Sequence, residues 1–316
     1  MDILHGLKRG VNLGGWLSQC DYSRERLADF ITEIDFARIA SWGLDHVRLP
    51  VDYNLFEKSG ESECPVGFER VDFALSMCEK YRLNLVLDLH KTAGFSFDAG
   101  EGESGFFTSP ALQERFYGLW EAFAARYGTF ADRVAFELLN EVTDPTFMES
   151  WNRIVHVCVR RIRAIAPDVR ILVGGYHNSS VEGVAALDAP DDDKVIYNFH
   201  CYDPLHFTHQ GAYWVPQLDR EARYAFDDCD ISAGMFMERF KPALDAAKKY
   251  HTALYCGEYG VIDRAAPEDT LKWYRAIHEA FEALGIARCA WSYREMDFGI
   301  ADSRMDQVRD ELIRNL

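Results

Sequence analysis

Two glutamates stand at the ends of apolar runs, where their carboxyl groups could act on a bound molecule. Glu141 closes the run 134–141, and Glu258 closes the run 253–258. No basic residue is close in sequence to either one, so neither has an obvious local ion-pair partner. Hydrolysis of a glycosidic bond requires two carboxyl groups, one to protonate the departing oxygen and one to attack or to activate water. The pair therefore predicts acid/base and nucleophilic chemistry on a sugar; the alternative is two buried structural carboxylates.

Other short apolar runs also end in hydrogen-bonding or aromatic side chains. A lone histidine or arginine at such a place is more often a buried, hydrogen-bonded residue than a ligand-binding one. Here such groups end several separate runs, and a sugar-binding site needs groups of this kind to converge. The candidates of this kind are Arg48, His90, His200, Tyr202 and Trp291.

These side chains need a scaffold that brings strand ends together, and the hydrophobic pattern predicts one. Eight apolar runs with little alternation are typical of parallel strands that are buried on both faces. Helical patterns separate them, for example an apolar face over 151–165 and a segment that begins at Pro267 and ends at Gly285. The sequence therefore predicts an α/β fold, a (β/α)8 TIM barrel in a single domain over residues 1–316, with the site at the carboxyl ends of the strands. The predicted strands are 10–13, 46–49, 84–89, 133–139, 170–173, 195–199, 253–256 and 288–291.

A doubly wound open sheet is the alternative fold for this order of elements. That fold normally carries a glycine-rich phosphate-binding turn after its first strand, and GVNLGGW (residues 10–16) is not such a turn. The barrel is therefore the favoured architecture.

Composition narrows the classes of partner. The 316 residues carry a formal net charge of −17, which disfavours nucleic acid and anionic membrane surfaces. None of the eight cysteines forms a CxxC pair, and the spacing of His206 and His209 lacks an evident third metal ligand, so we expect no metal and no cofactor. The sequence contains no run of about 18 apolar residues, so it predicts no membrane span. The first residues lack a signal-peptide pattern, which predicts a cytoplasmic protein or one whose signal peptide is absent from this chain. We expect a monomer.

Seven motifs in order give the chain a resemblance to a known family. They are RGVNLGGW (9–16), HVRLP (46–50), LVLDLH (85–90), FELLNE (136–141), YNFHCYDP (197–204), CGEYGV (256–261) and AWSY (290–293). Together they resemble glycoside hydrolase family 5, in the clan of retaining glycosidases with catalytic glutamates after strands four and seven. The resemblance is to small bacterial endo-β-1,4-glucanases in particular, and it implies cleavage of β-linked glucans by double displacement.

The resemblance implies a role for each matching position. Glu141 would be the acid/base and Glu258 the nucleophile, while Asn140 would bind the 2-hydroxyl of the sugar under attack. Arg48 and Tyr202 would hydrogen-bond the nucleophile, which as an anion needs donors. His90 and His200 would position groups around the central sugar, and Trp291 would form a stacking floor beneath it.

Several residues outside these motifs carry weaker expectations. Trp16, Phe207 and Trp214 are candidates for stacking on outer sugars, with burial in the core as the alternative. We expect Glu137 to be a paired polar residue inside the barrel, and Asp98, Glu101 and Glu103 to form a solvated acidic surface.

Four other functions stay open at this point. An exo-β-1,3-glucosidase and a β-mannanase are the alternatives within the resemblance. A non-catalytic carbohydrate-binding barrel and a metal-dependent hydrolase are those outside it.

Overall fold

The chain folds into a closed barrel of eight parallel strands in which each strand pairs with the next and β8 pairs with β1. The structure is a computed structural model that describes residues 3–57, 65–98 and 102–316. All eight predicted strands are confirmed. They are β1 Arg9–Asn12, β2 His46–Asp52, β3 Asn84–Lys91, β4 Val134–Glu137, β5 Arg170–Gly174, β6 Val195–Cys201, β7 Leu254–Tyr259 and β8 Ala287–Ala290.

Helical segments follow every strand and cover the outside of the barrel. No helix in the described ranges is both long and apolar enough to cross a membrane. The helices are α1 Arg24–Asp29, α2 Glu33–Ser41, α3 Val66–Tyr81, α4 Pro110–Tyr127, α5 Met148–Ile165, the single turn α6 Tyr176–Ser179, α7 Val181–Val184, α8 Leu205–Thr208, α9 Ala233–Lys249, α10 Pro267–Leu284 and α11 Arg309–Ile313.

Local sequence signals fix the long helices as expected. Ser109 accepts a hydrogen bond from the backbone of Leu112 and precedes Pro110, a common first helical residue. Helix α10 begins at Pro267 and ends at Leu284, and the following Gly285 caps it with a positive φ of 68°. Helix α5 buries the predicted apolar face against the barrel.

The inside of the barrel has an apolar lower layer and a polar upper layer. Side chains two residues apart on a strand share a face, so Val86, Asp88 and His90 all point inward from β3. Val86 belongs to a buried cluster that Leu4 and Leu7 of the amino-terminal segment cover. Asp88 and His90 lie above it, among the charged groups described below. The change from apolar to charged along one strand therefore marks the functional end of the barrel.

Strand β2 extends further than predicted, past a proline. Pro50 cannot donate a ladder hydrogen bond, which normally ends a central strand. Strand β1 is short and pairs with β2 only as far as Arg48, so Pro50 lies opposite no residue of β1. On its other side Pro50 keeps its register with Asp88 of β3. The neighbouring strand's length explains why proline is tolerated here.

Candidate active site

The polar residues predicted from strand ends do converge at one mouth of the barrel. Arg48 comes from β2, His90 from β3, His200 from β6 and Glu258 from β7, and all four are at least nine-tenths buried. Glu141 lies four residues beyond the end of β4, with its side chain 12% exposed. The fold thus gathers residues that are up to 210 positions apart.

Arg48 is the centre of the polar layer and is fully buried. Its guanidinium binds Glu137 through two nitrogens at 2.7 and 2.8 Å, and it donates to Glu258 Oε1 at 2.7 Å. It also lies 3.0 Å from Asp88 Oδ2. A planar guanidinium with five donors can satisfy several carboxylates at once, which an ammonium group cannot do in the same geometry. Glu137 is therefore the paired polar core residue that the sequence predicts.

Glu141 and Glu258 face each other across this mouth. Each offers an oxygen, and these two oxygens and a nitrogen of His200 all lie within 4.8 Å of one another. His200 Nδ1 is 2.8 Å from Glu141 Oε1 and 3.6 Å from Glu258 Oε2. This approach is compatible with double displacement, in which the carboxyl groups lie about 5–5.5 Å apart, rather than with the roughly 6.5–9.5 Å that a single displacement by water requires.

The two carboxyl groups have different partners, which separates their protonation states. Burial raises the pKa of each to about 7. Glu258 accepts charge-assisted bonding from Arg48 and a hydrogen bond from the Tyr202 hydroxyl at 2.9 Å. Glu141 instead has the side chain of Asn178 at 2.9 Å and a His200 ring whose pKa burial lowers. When the pair holds one proton, that proton belongs on Glu141, because Arg48 and Tyr202 donate directly to Glu258, whereas Arg48 acts on Glu141 only at a distance.

Three further predicted residues line the same space. Asn140 accepts from Arg48 through Oδ1, while its buried Nδ2 has no partner among the described residues and is free to donate to a sugar hydroxyl. His90 Nδ1 lies 2.6 Å from Asp88, and the ring is parallel to that of Trp291 at 5.8 Å. A side chain at Gly14 would lie 2.8 Å from the Trp291 ring, so this glycine lets the loop after β1 pack directly on it.

Two of the three aromatic residues expected to contact outer sugars do not. Trp16 and Phe207 are fully buried, so this expectation is wrong. Trp16 donates its indole N–H to the backbone of Leu27 and packs against Phe73, while Phe207 packs against Phe226. Both are core residues, because large apolar rings gain more from burial than from exposure.

Trp214 differs from these two, since 41% of its surface is exposed. Its ring lies 6.2 Å from that of His209, which in turn lies 4.9 Å from Tyr202. Because Tyr202 touches Glu258, Trp214 stands on the rim a short distance out from the nucleophile candidate. Its position is compatible with stacking on a bound sugar.

Two acidic residues that follow β3, Asp98 and Glu103, have partners that the sequence does not indicate. Asp98 pairs with the buried Lys91 at 2.8 Å. Glu103 accepts hydrogen bonds from the Tyr53 hydroxyl at 2.6 Å and from the Gly94 backbone at 2.7 Å. The prediction of a solvated acidic surface holds for Glu103, which is exposed, and in part for Asp98, whose side chain is 33% exposed; Glu101 lies outside the described residues. His206 contacts Cys229 at 3.5 Å, away from the two glutamates.

Sequence reasoning missed four residues that support the site. Asn12 and Asp88 contact Arg48, Asn198 donates to Glu137 at 2.8 Å, and Asn178 donates to Glu141. Asp88 had a usable signal, since it stands two residues before His90 and must share its face. The others are neutral amides whose importance depends on contacts between elements that are far apart in sequence.

The barrel with two opposed carboxyl groups at its carboxyl-terminal mouth defines a class, that of barrel glycosidases. Residues 10–297 match the family described as cellulase (glycosyl hydrolase family 5). The chain belongs to this family and is a glycoside hydrolase.

Individual relatives agree with this assignment. The chain is 55% identical to cellodextrinase A of Ruminococcus flavefaciens, over 90% of this chain and 84% of that protein. It is 35% identical to endoglucanase C of Acetivibrio thermocellus, over 98% and 97% of the two chains. Among solved structures, endoglucanase Cel5A of Thermotoga maritima superimposes with a TM-score of 0.81 at 25% identity, over 100% of both chains.

Proposed function

We propose that this protein hydrolyses β-1,4-linked glucans with retention of the anomeric configuration, using Glu258 as nucleophile and Glu141 as acid/base. The observation that carries the proposal is the unequal pair of carboxyl groups. One is bonded to Arg48 and Tyr202, and the other to neutral partners, at a separation suited to double displacement.

In the first step Glu258 Oε2 or Oε1 attacks the anomeric carbon while Glu141 gives its proton to the departing oxygen. The glycosidic C–O bond breaks, and an ester bond forms between the sugar and Glu258. Positive charge develops on the sugar ring, and the buried anion beneath it stabilises that charge. Trp291 offers its ring face to the sugar, and the amide of Asn140 offers a hydrogen to the 2-hydroxyl.

In the second step Glu141, now anionic, takes a proton from water. The resulting oxygen attacks the anomeric carbon and releases Glu258 as a carboxylate. Loss of the negative charge on Glu258 in the intermediate lowers the pKa of Glu141, which helps the same residue act first as an acid and then as a base. Two inversions at one carbon give net retention.

The substrate class rests on the relatives. One named an endoglucanase and one named a cellodextrinase both align over most of this chain. We propose an endo-acting β-1,4-glucanase; release of short products from cello-oligosaccharides is the second activity to test, because the 55% identical relative carries the cellodextrinase name.

Product analysis tests the proposal directly. NMR of the first-formed product, before mutarotation, should show the β anomer, and an α anomer would exclude double displacement. Soluble cellulose derivatives should lose viscosity quickly while few reducing ends appear. Glucose as the sole early product, or a preference for β-1,3-glucan or mannan, would contradict the endo-β-1,4 assignment.

A further inference from the structure

The turn that follows β5 reaches across the rim to Glu141. Asn178 in this turn is exposed on its outer side, and its Nδ2 donates to Glu141 Oε2 at 2.9 Å. His177, Asn178 and Ser179 have φ values of 49°, 57° and 54° in succession, in the left-handed region. Asparagine adopts this conformation more readily than most residues, so the residue type suits both the backbone and the contact.

Main-chain contacts fix this turn to the loop that carries Glu141. The His177 and Asn178 backbone N–H groups donate to the carbonyl oxygens of Thr143 and Val142 at 3.2 and 3.0 Å. On its other side the turn packs against α7 so closely that a Cβ on Gly175 would lie 2.1 Å from the Gly183 oxygen. The Asn178 amide therefore has a fixed position relative to the carboxyl group that it contacts.

The two oxygens of Glu141 have separate partners, since Oε1 lies beside His200 Nδ1 and Oε2 beside the Asn178 amide. An amide nitrogen only donates, so its contact favours the carboxylate form of Glu141. The charged or titratable groups that act on Glu141 come from several elements and do not include residue 178. They are Arg48 of β2, Asp88 of β3, Asp98 after β3, Glu137 of β4, His200 of β6, Tyr202 after β6 and Glu258 of β7.

We propose that Asn178 is a positioning residue for the acid/base, a role that rests on the proposed function of Glu141. Its amide fixes the orientation of Oε2 and stabilises the carboxylate that forms as Glu141 gives its proton to the departing oxygen. Cleavage of a substrate whose leaving group must be protonated by the acid should depend on Asn178. Cleavage of a substrate whose leaving group departs without protonation should not.

Two variants distinguish the effect of the Asn178 side-chain amide from the effect of the backbone conformation of the turn. Asn178→Gly keeps a residue that accepts the left-handed conformation and removes the donor. Asn178→Asp keeps the shape and places a second carboxylate against Glu141. The matched control is His177→Asn, which changes the neighbouring exposed side chain in the same turn. All are compared on aryl β-cellobiosides that carry either 2,4-dinitrophenol or phenol.

Asn178→Gly should lower kcat/KM for the phenyl substrate about 5- to 10-fold and leave the dinitrophenyl substrate nearly unchanged. The alkaline limb of kcat/KM reports loss of the Glu141 proton, so a higher pKa moves it upward. We expect a rise of roughly 0.5–1 pH unit for Asn178→Gly and a larger rise for Asn178→Asp. The kcat/KM values and the pH profile of His177→Asn should match those of the unchanged protein.

Equal losses on both substrates with an unmoved alkaline limb would overturn the proposal and make Asn178 a structural residue. A change in KM alone would overturn it in favour of direct contact with the substrate. Glu141→Ala distinguishes failure of the wider mechanism. If that variant loses both substrates equally, Glu141 is not the acid; if it spares the dinitrophenyl substrate while Asn178→Gly does not, only the role of Asn178 fails.

Discussion

Arg48 determines how the charges of the site are divided. One guanidinium serves Asp88, Glu137 and Glu258, three carboxyl groups that burial alone would protonate. Burial raises the pKa of Asp88 to about 7 and that of Glu137 above its usual value. Arg48 opposes this rise in both, as it does in Glu258. Its shortest bonds go to Glu137 and Glu258, so the nucleophile candidate is among the groups best held as an anion.

Glu258→Gln tests the nucleophile at the scale of one residue. The amide keeps the shape: its oxygen can accept from Arg48 and its NH2 group can donate to the Tyr202 oxygen, but it cannot attack the anomeric carbon. Turnover should fall by about 10³-fold or more while binding of cello-oligosaccharides survives, as measured by steady-state kinetics and calorimetry. Retention of more than about a tenth of the activity, a barrier change under roughly 1.4 kcal/mol, would contradict the assignment.

Tyr202→Phe is the matched change on the partner of Glu258. It removes the hydroxyl that bonds Oε2 and leaves the carboxylate in place. That hydrogen bond lowers the pKa of Glu258, so its loss should move the acidic limb of the kcat/KM profile to higher pH. Turnover should fall far less than in Glu258→Gln; an unmoved acidic limb would mean that Tyr202 does not act through the nucleophile.

At this same scale the sequence predicts positions better than partners. His90, His200, Tyr202 and Glu258 lie at or just after the ends of apolar strands, Arg48 lies within β2, and the parallel barrel brings these positions together whatever their order in the chain. Which carboxylates Arg48 would bind depends on strand register across the barrel interior. No pattern in a single sequence indicates that register, so the contacts of Asn12 and Asn198 are not predicted from the sequence.

Among the elements, β4 is shorter than predicted, and the difference affects the position of Glu141. The run of apolar residues predicts a strand to Leu139, yet the ladder ends at Glu137. The backbone then turns until Glu141 has a φ of 44°. Left-handed backbone is uncommon for glutamate, so no propensity indicates it. The turn after β5, which is hydrogen-bonded to this loop, supports the conformation from outside the strand.

The aromatic residues show a second limit of element-level prediction. Trp16 and Trp214 both follow strands, but one packs inward from its loop and the other remains on the rim. Aromatic residues suit either environment, because a ring can fill a core or stack on a sugar. Only the path of each loop decides between the two, and loops carry little periodic signal.

A pair of substitutions tests this distinction between loops. Trp16→Ala should lower the free energy of unfolding by about 3–5 kcal/mol, because it leaves a cavity in the core, and should leave KM of the folded protein close to its original value. Trp214→Ala should change stability by less than about 1 kcal/mol and raise KM for longer cello-oligosaccharides. Urea denaturation measures the free energy of unfolding of both variants, and steady-state kinetics measures their KM. A raised KM with unchanged stability for Trp16→Ala would mean that Trp16 contacts the substrate.

For the whole molecule, the site is a concentration of like charge that the fold must tolerate. The chain already carries a net charge of −17, and the barrel buries Asp88, Glu137, Glu141 and Glu258 around one arginine. The closed barrel and its apolar lower layer provide the stability that offsets this arrangement. Functional sites commonly cost stability in this way, so neutralising Glu141, the one carboxyl group of the four without a direct bond to Arg48, should make the protein more stable.

Glu141→Gln isolates that cost. Burial raises the pKa of Glu141 from 4.5 in the unfolded chain to about 7 in the folded one. Below about pH 4.5 the carboxyl group is protonated in both states and costs nothing; above about pH 7 it is ionised in both, and the folded state bears the full penalty. Glutamine never ionises, so the variant should match the original protein near pH 4 and exceed its free energy of unfolding by about 1–3 kcal/mol at pH 8. Urea denaturation of both proteins at several pH values measures the difference between them, in which the titrations of groups that do not interact with Glu141 cancel. A difference that is constant with pH, or that shrinks as pH rises, would mean that Glu141 does not hold a raised pKa in the folded barrel, and the acid/base would then have to be sought elsewhere.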